Sequence, residues 1–160
     1  MAIQVGDKIP AVTLKAVTPE GVKDATTDEI FGGKKVVLFA VPGAFTPTCS
    51  AKHLPGFIEQ ADAIRGKGVD TIACLSVNDA FVMDAWAKDR GAGDKVVLLA
   101  DGNADFTRAV GLELDGSNFG MGVRSQRYAL IVEDGVAKHV AVEAPMKFEV
   151  SRAEDILAQL

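Results

Sequence analysis

Short apolar runs alternating with helix-like stretches set the architecture of this 160-residue chain. Lys35 to Val41 (KVVLFAV) is β-branched and too short for a core helix, so it reads as a strand buried on both faces. Ser50 to Lys67 follows as a helix, with Pro55 tolerated near its start or kinking it and Gly66 and Gly68 ending it. Thr71 to Val77 (TIACLSV) is the next strand. Asn78 then caps a helix that carries Phe81, Val82, Ala85 and Trp86 on one face and stops at Gly91. Val96 to Ala100 predicts a third strand, and Asp105 to Val110 a short helix. Strands separated by helices predict parallel crossover units.

The C-terminal third follows another rule. Tyr128 to Glu133 and Val136 to Val142 are strands joined by Asp134-Gly135, a dipeptide that accepts the positive φ angles of a two-residue hairpin. A last helix starts at the capping box Ser151-Arg152-Ala153-Glu154 and turns Ile156, Leu157 and Leu160 toward the core. No repeat or linker divides the chain, so residues 1–160 predict one α/β domain. A βαβ start, a ββα end and a mixed central sheet with helices on both faces make up a thioredoxin-like fold. Gly111 to Gln126 is left as a glycine-rich loop, of a length that is commonly functional.

Composition narrows the function classes. With 48% hydrophobic and 24% charged residues the chain builds its own core, burying roughly 70% of its extended surface without disulfide staples. A net charge of −5 with interspersed signs argues against nucleic acid or an anionic membrane as partner. No basic, apolar-cored leader or membrane-length apolar run is present, which predicts a soluble cytoplasmic protein. Two cysteines, Cys49 and Cys74, are too few for a disulfide framework, and His53 and His139 add too little for a metal site.

Chemistry concentrates at Cys49, in Pro42-Gly43-Ala44-Phe45-Thr46-Pro47-Thr48-Cys49, between the end of a buried strand and the start of a helix. Unpaired backbone N–H groups in a first helical turn favour thiolate, which makes Cys49 a candidate nucleophile. Where a dithiol oxidoreductase carries Cys-x-x-Cys, this chain has Thr46-Pro47-Thr48-Cys49. Thr46 cannot form a disulfide, but its hydroxyl can hydrogen-bond the sulfur or an oxygen beside it. That exchange points to attack on a small oxygen electrophile. Cleaving an O–O bond then requires donors aimed at the departing oxygen. Arg127, just before the strand Tyr128 to Glu133, is the natural donor, with Arg124 the alternative.

These residues resemble the peroxiredoxins, and within them the peroxiredoxin 5 or type II subgroup, over essentially the whole chain. Pro42 to Ser50 with His53-Leu54-Pro55-Gly56-Phe57, Ser76 to Met83, and Arg124-Ser125-Gln126-Arg127-Tyr128-Ala129-Leu130 carry the likeness, in order. The resemblance implies Cys49 as peroxidatic cysteine, with Pro42, Thr46 and Arg127 completing the site and no metal or organic cofactor. It implies reduction of hydrogen peroxide and alkyl hydroperoxides through a cysteine sulfenic acid. Glutathione, glutaredoxin or thioredoxin would be the reductant, and a homodimer the assembly.

Other side chains have two readings each. Cys74 sits in an apolar strand and reads as packing; the resemblance adds a resolving role, since plant-like members carry a second cysteine 25 residues after the first. Disulfide formation needs Cα atoms within about 7 Å, which inside a rigid core demands local unfolding. His53, four residues after Cys49, is a candidate general base or pocket residue, against an ordinary helix histidine. Phe45 and Phe119 line a pocket or a dimer surface, or simply pack. A Cys49–His53 acyl hydrolase lacks an evident third group. A thiol redox sensor or chaperone-like partner protein switched by Cys49 oxidation is the non-enzymatic alternative.

Overall fold

The N-terminal residues form a hairpin of β1 (Thr13–Thr18) and β2 (Gly21–Thr26) followed by α1 (Thr27–Phe31), in a computed structural model that describes residues 1–160. The apolar pattern passes over this hairpin because β2 is a polar edge strand with one buried residue, Ala25. Next come β3 (Lys35–Val41), a π-helical turn (Cys49–His53), α2 (Leu54–Glu59), α3 (Ala61–Arg65), β4 (Thr71–Ser76), α4 (Ala80–Arg90), β5 (Val97–Ala100) and α5 (Asp105–Ala109). The glycine-rich stretch is itself a small hairpin, β6 (Glu113–Asp115) and β7 (Val123–Ser125), with a 3₁₀ turn at Ser117–Phe119. The chain closes with β8 (Tyr128–Glu133), β9 (Val136–Val142) and α6 (Ala153–Leu157).

Seven strands form one mixed sheet in the order β2-β1-β5-β4-β3-β8-β9, with β3, β4 and β5 parallel and the rest antiparallel. Alternation along β3 divides the core. Val37, Phe39 and Val41 join the cluster containing Leu54, Phe57, Ile64, Met83, Trp86 and Ile156, while Val36, Leu38 and Ala40 join the one containing Phe31 and Phe106. The sheet is therefore covered on both faces, as in the thioredoxin-like fold, by α2, α3, α4 and α6 on one side and α1 and α5 on the other. Phe39 and Phe57 stack with centroids 4.0 Å apart and pin α2 to β3. Truncating such a ring to alanine costs about 3–5 kcal/mol.

Four expected features differ. The helix expected over Ser50 to Lys67 is broken in three, because Pro55 lacks the N–H that would bond the Ala51 carbonyl. Leu54 N–H bonds Cys49 O five residues back, giving the π turn, and Gln60 interrupts the ladder again. Asp79, not Asn78, caps α4 by accepting from Val82 N–H at 2.9 Å. Phe81 faces outward at 88% exposure, and Met83 and Trp86 form the buried stripe of α4. Arg152, not Ser151, is the N-cap of α6, its N–H accepted by Asp155, because the Ser151 hydroxyl is committed to Glu143. The Asp134-Gly135 hairpin forms as expected, with φ of 45° and 75°.

Candidate active site

Sheet register determines what meets Cys49. Because β3 and β8 are antiparallel with Ala40 opposite Tyr128, residue 127 lies beside the end of β3, where the chain turns into the Cys49 loop. Arg127 Nη2 donates to Cys49 Sγ at 3.0 Å across 78 positions of sequence. Its Nη1 reaches His53 Nδ1 at 2.8 Å, so one planar guanidinium spans sulfur and imidazole. Arg124 does not touch the sulfur. Its Nε donates to Met121 O at 3.0 Å and its Nη1 to Pro42 O at 3.4 Å, tying the β6–β7 hairpin to the Cys49 loop.

Cys49 itself is fully buried, in the first residue of the π turn, and local bonds hold its loop. Ser50 Oγ accepts from the buried Trp86 Nε1 at 2.7 Å. Asn78 Oδ1 accepts from Ala44 N–H at 3.0 Å, so the residue expected to cap a helix instead fastens the loop to the end of β4. Phe45 adopts φ of 63°, a left-handed conformation costly for a bulky residue. Thr46 Oγ1 donates to Gly43 O at 2.7 Å, which leaves the hydroxyl oxygen's lone pairs free to accept a proton donor.

His53 is not a base for the thiol. It is buried among Phe39, Phe57 and Phe148, and its Nε2 pairs with Ser151 O at 2.9 Å. A carbonyl can only accept, so Nε2 carries the proton and Nδ1 receives the Arg127 bond. Burial, and then the adjoining Arg127 charge, push the imidazole down to about 3, so it is neutral across physiological pH. Phe148 also lies under the guanidinium, with Arg127 Cζ 5.6 Å from its centroid.

The remaining expected residues are dispersed. Cys74 lies inside β4, opposite Phe39 on one side and Leu98 on the other, within the same apolar cluster as Cys49. Both cysteines are free thiols. Burial, and then proximity to Cys49, push the Cys74 thiol well up, so it stays protonated. Phe45 is 49% exposed and Phe119, in the 3₁₀ turn, 77% exposed. Ser151 and Glu143 were invisible to sequence reasoning, since their link to the site runs through a backbone carbonyl 98 positions from His53.

A buried cysteine at a strand–helix junction, bonded to a guanidinium and with Thr46 where a Cys-x-x-Cys dithiol would carry its other cysteine, on a thioredoxin-like sheet, defines a class of thiol-based oxidoreductase. The family model described as Redoxin matches residues 4–157. Peroxiredoxin-2E, chloroplastic, of Arabidopsis thaliana is 53% identical over 99% of this chain and 70% of its own length. Peroxiredoxin-2B of the same plant is 48% identical over 99% and 98%. The crystal structure of reduced Prx3 in complex with H₂O₂ from Vibrio vulnificus superposes with a TM-score of 0.93 at 56% identity, covering 98% of each chain. The chain belongs to the peroxiredoxin family and is a thiol-dependent peroxidase. No helix is long and apolar enough to cross a membrane.

Proposed function

We propose that Cys49 is the peroxidatic cysteine and that the substrates are hydrogen peroxide and alkyl hydroperoxides. The Arg127 Nη2 to Cys49 Sγ bond of 3.0 Å carries this reading, because it places a fixed positive charge beside the sulfur, where negative charge develops on the departing oxygen. The hydrogen peroxide complex of the similar Vibrio vulnificus Prx3 supports the substrate class. The thiolate attacks one peroxide oxygen, an S–O bond forms as O–O breaks, and the electron pair leaves on the second oxygen, which takes a proton to become water or an alcohol. Sulfur is oxidised by two electrons to the sulfenic acid. Thr46 Oγ1, its own proton given to Gly43 O, accepts a hydrogen bond from the peroxide O–H and so orients it, and Pro42, at the loop entrance, shields the sulfur from bulk water.

An external thiol reduces the sulfenic acid, with glutathione, glutaredoxin or thioredoxin as the donor. Cys74 is a protonated thiol locked between two strands, so it resolves Cys49 only if β4 opens locally. Phe45, Phe81 and Phe119 are large exposed apolar side chains, and their burial against a second copy of the chain would suit a homodimer. Two free thiols fit a reducing compartment such as the cytoplasm.

Intact-mass measurement after one equivalent of hydrogen peroxide, then glutathione, tests the cycle. A glutathione adduct confined to Cys49 is the expected result. A loss of about two mass units instead marks an internal Cys49–Cys74 disulfide, and no change in mass overturns the assignment of Cys49.

A further inference from the structure

Behind the reacting pair, a buried carboxylate gathers a loop whose own backbone faces the site. Glu143 follows β9, and its N–H donates to Arg127 O at 3.0 Å, so the two residues are neighbours across the end of β8 and β9. Its side chain is 7% exposed and has no salt-bridge partner. Instead it accepts from Glu149 N–H on both oxygens at 2.9 Å. Its Oε2 also takes Val150 N–H at 2.9 Å, Ser151 N–H at 2.8 Å and Ser151 Oγ at 2.7 Å. A carboxylate with five hydrogen bonds from one three-residue turn fixes that turn's orientation. Burial alone would raise the carboxyl pKa, but these bonds hold it below the ordinary carboxylate range.

The fixed turn presents two groups to the catalytic pair. Ser151 O accepts from His53 Nε2 at 2.9 Å, which forces the tautomer whose Nδ1 accepts from Arg127 at 2.8 Å. Phe148 packs on His53 at 4.9 Å between centroids and under the Arg127 guanidinium at 5.6 Å. If the turn rotates, His53 loses the acceptor that defines its tautomer. Arg127 then loses the bond that steers its second amino group onto sulfur. We propose that Glu143 is a positioning residue for the peroxidase reaction, acting through Ser151 and His53 on the Arg127 guanidinium, so that the 143–151 loop sets the reactivity of Cys49. This rests on the assignment of Cys49 and Arg127 made above.

The test is a double-mutant cycle on the full chain. It reads the rate constant for Cys49 oxidation by hydrogen peroxide and the ultraviolet thiolate absorbance at neutral pH, well below the melting temperature. Glu143→Gln is expected to slow oxidation about tenfold and to lower the thiolate absorbance, since a small misplacement of a reacting group is costly. Ser151→Ala, which deletes one bond and no charge, loses about twofold by the same reasoning. In a His53→Leu background Glu143→Gln should change neither quantity further, because the path is already cut. An oxidation rate within about 1.5-fold of the parent in Glu143→Gln overturns the proposal, and so does an equal loss in both backgrounds, which is the additivity of independent sites. Cys49→Ser, run in parallel, separates the two claims: full activity there sinks the peroxidatic assignment itself, while an inactive Cys49→Ser with an unaffected Glu143→Gln removes only the role of Glu143.

Discussion

Cys49 and Cys74 are both fully buried, both free and both members of one apolar cluster, yet their sulfurs face different chemistry. Cys74 lies mid-strand, flanked by Phe39 and Leu98 across the ladder, where the backbone is consumed by pairing. Cys49 lies where the strand has ended and a π turn begins, and there a neighbouring strand brings Arg127 to 3.0 Å. Burial keeps the Cys74 thiol protonated, whereas the guanidinium hydrogen-bonded to Cys49 stands where a departing oxygen would gather negative charge. A cysteine's depth therefore says little about its reactivity; its place relative to strand ends says more.

The comparison breaks first at the sulfur. Cys49→Ser should abolish peroxide turnover, by about a thousandfold or more, because the hydroxyl that replaces the thiol is a weak nucleophile; residual turnover above a tenth of the parent in a coupled peroxidase assay would contradict it. Arg127→Gln comes next, with a loss of about a hundredfold in the oxidation step, the size typical of deleting one donor to a developing anion. Arg127→Lys should recover little of it, since a point charge cannot bond sulfur and imidazole together. A stopped-flow rate close to the parent in either variant shows that the guanidinium is dispensable.

Acid sharpens the contrast through His53. In the unfolded chain the imidazole binds a proton near its ordinary value of 6.5, whereas in the folded protein it resists until about 3. The unfolded state therefore binds more protons in this window, and stability falls as pH drops from about 6.5 toward 3. Melting temperatures at pH 7 and pH 4 should differ less in His53→Gln than in the parent. An identical difference in both means that other groups set the acid sensitivity. The smallest effect on chemistry belongs to Cys74→Ala, whose oxidation rate should stay within about twofold of the parent while denaturant unfolding registers a loss of about 1–2 kcal/mol from the vacated core volume.

Much of the molecule was legible in the chain. The boundaries of β3, β8 and β9 and the Asp134-Gly135 turn follow from apolar patterning and turn chemistry, which depend on near neighbours. Cys49 and Arg127 were both legible as candidates. The role of Asn78 was not, because Asn and Asp are equal N-caps and only the fold shows that Ala44 N–H lies within reach of one of them. The outward turn of Phe81 was hidden for a similar reason, since a short helix with apolar residues on several sides does not declare which face meets the sheet.

The sequence by itself determined that a thiol stands at the junction of a buried strand and a helix, and that a hydroxyl replaces the second thiol at Thr46. Only the tertiary structure decided which arginine reaches the sulfur, that His53 serves the arginine instead of the cysteine, and that Glu143 holds the loop behind them. Strand and helix signals arise from residues a few positions apart. The contacts of the site join positions separated by 74, 78 and 98 residues, and those distances close only when an antiparallel register between β3, β8 and β9 is fixed.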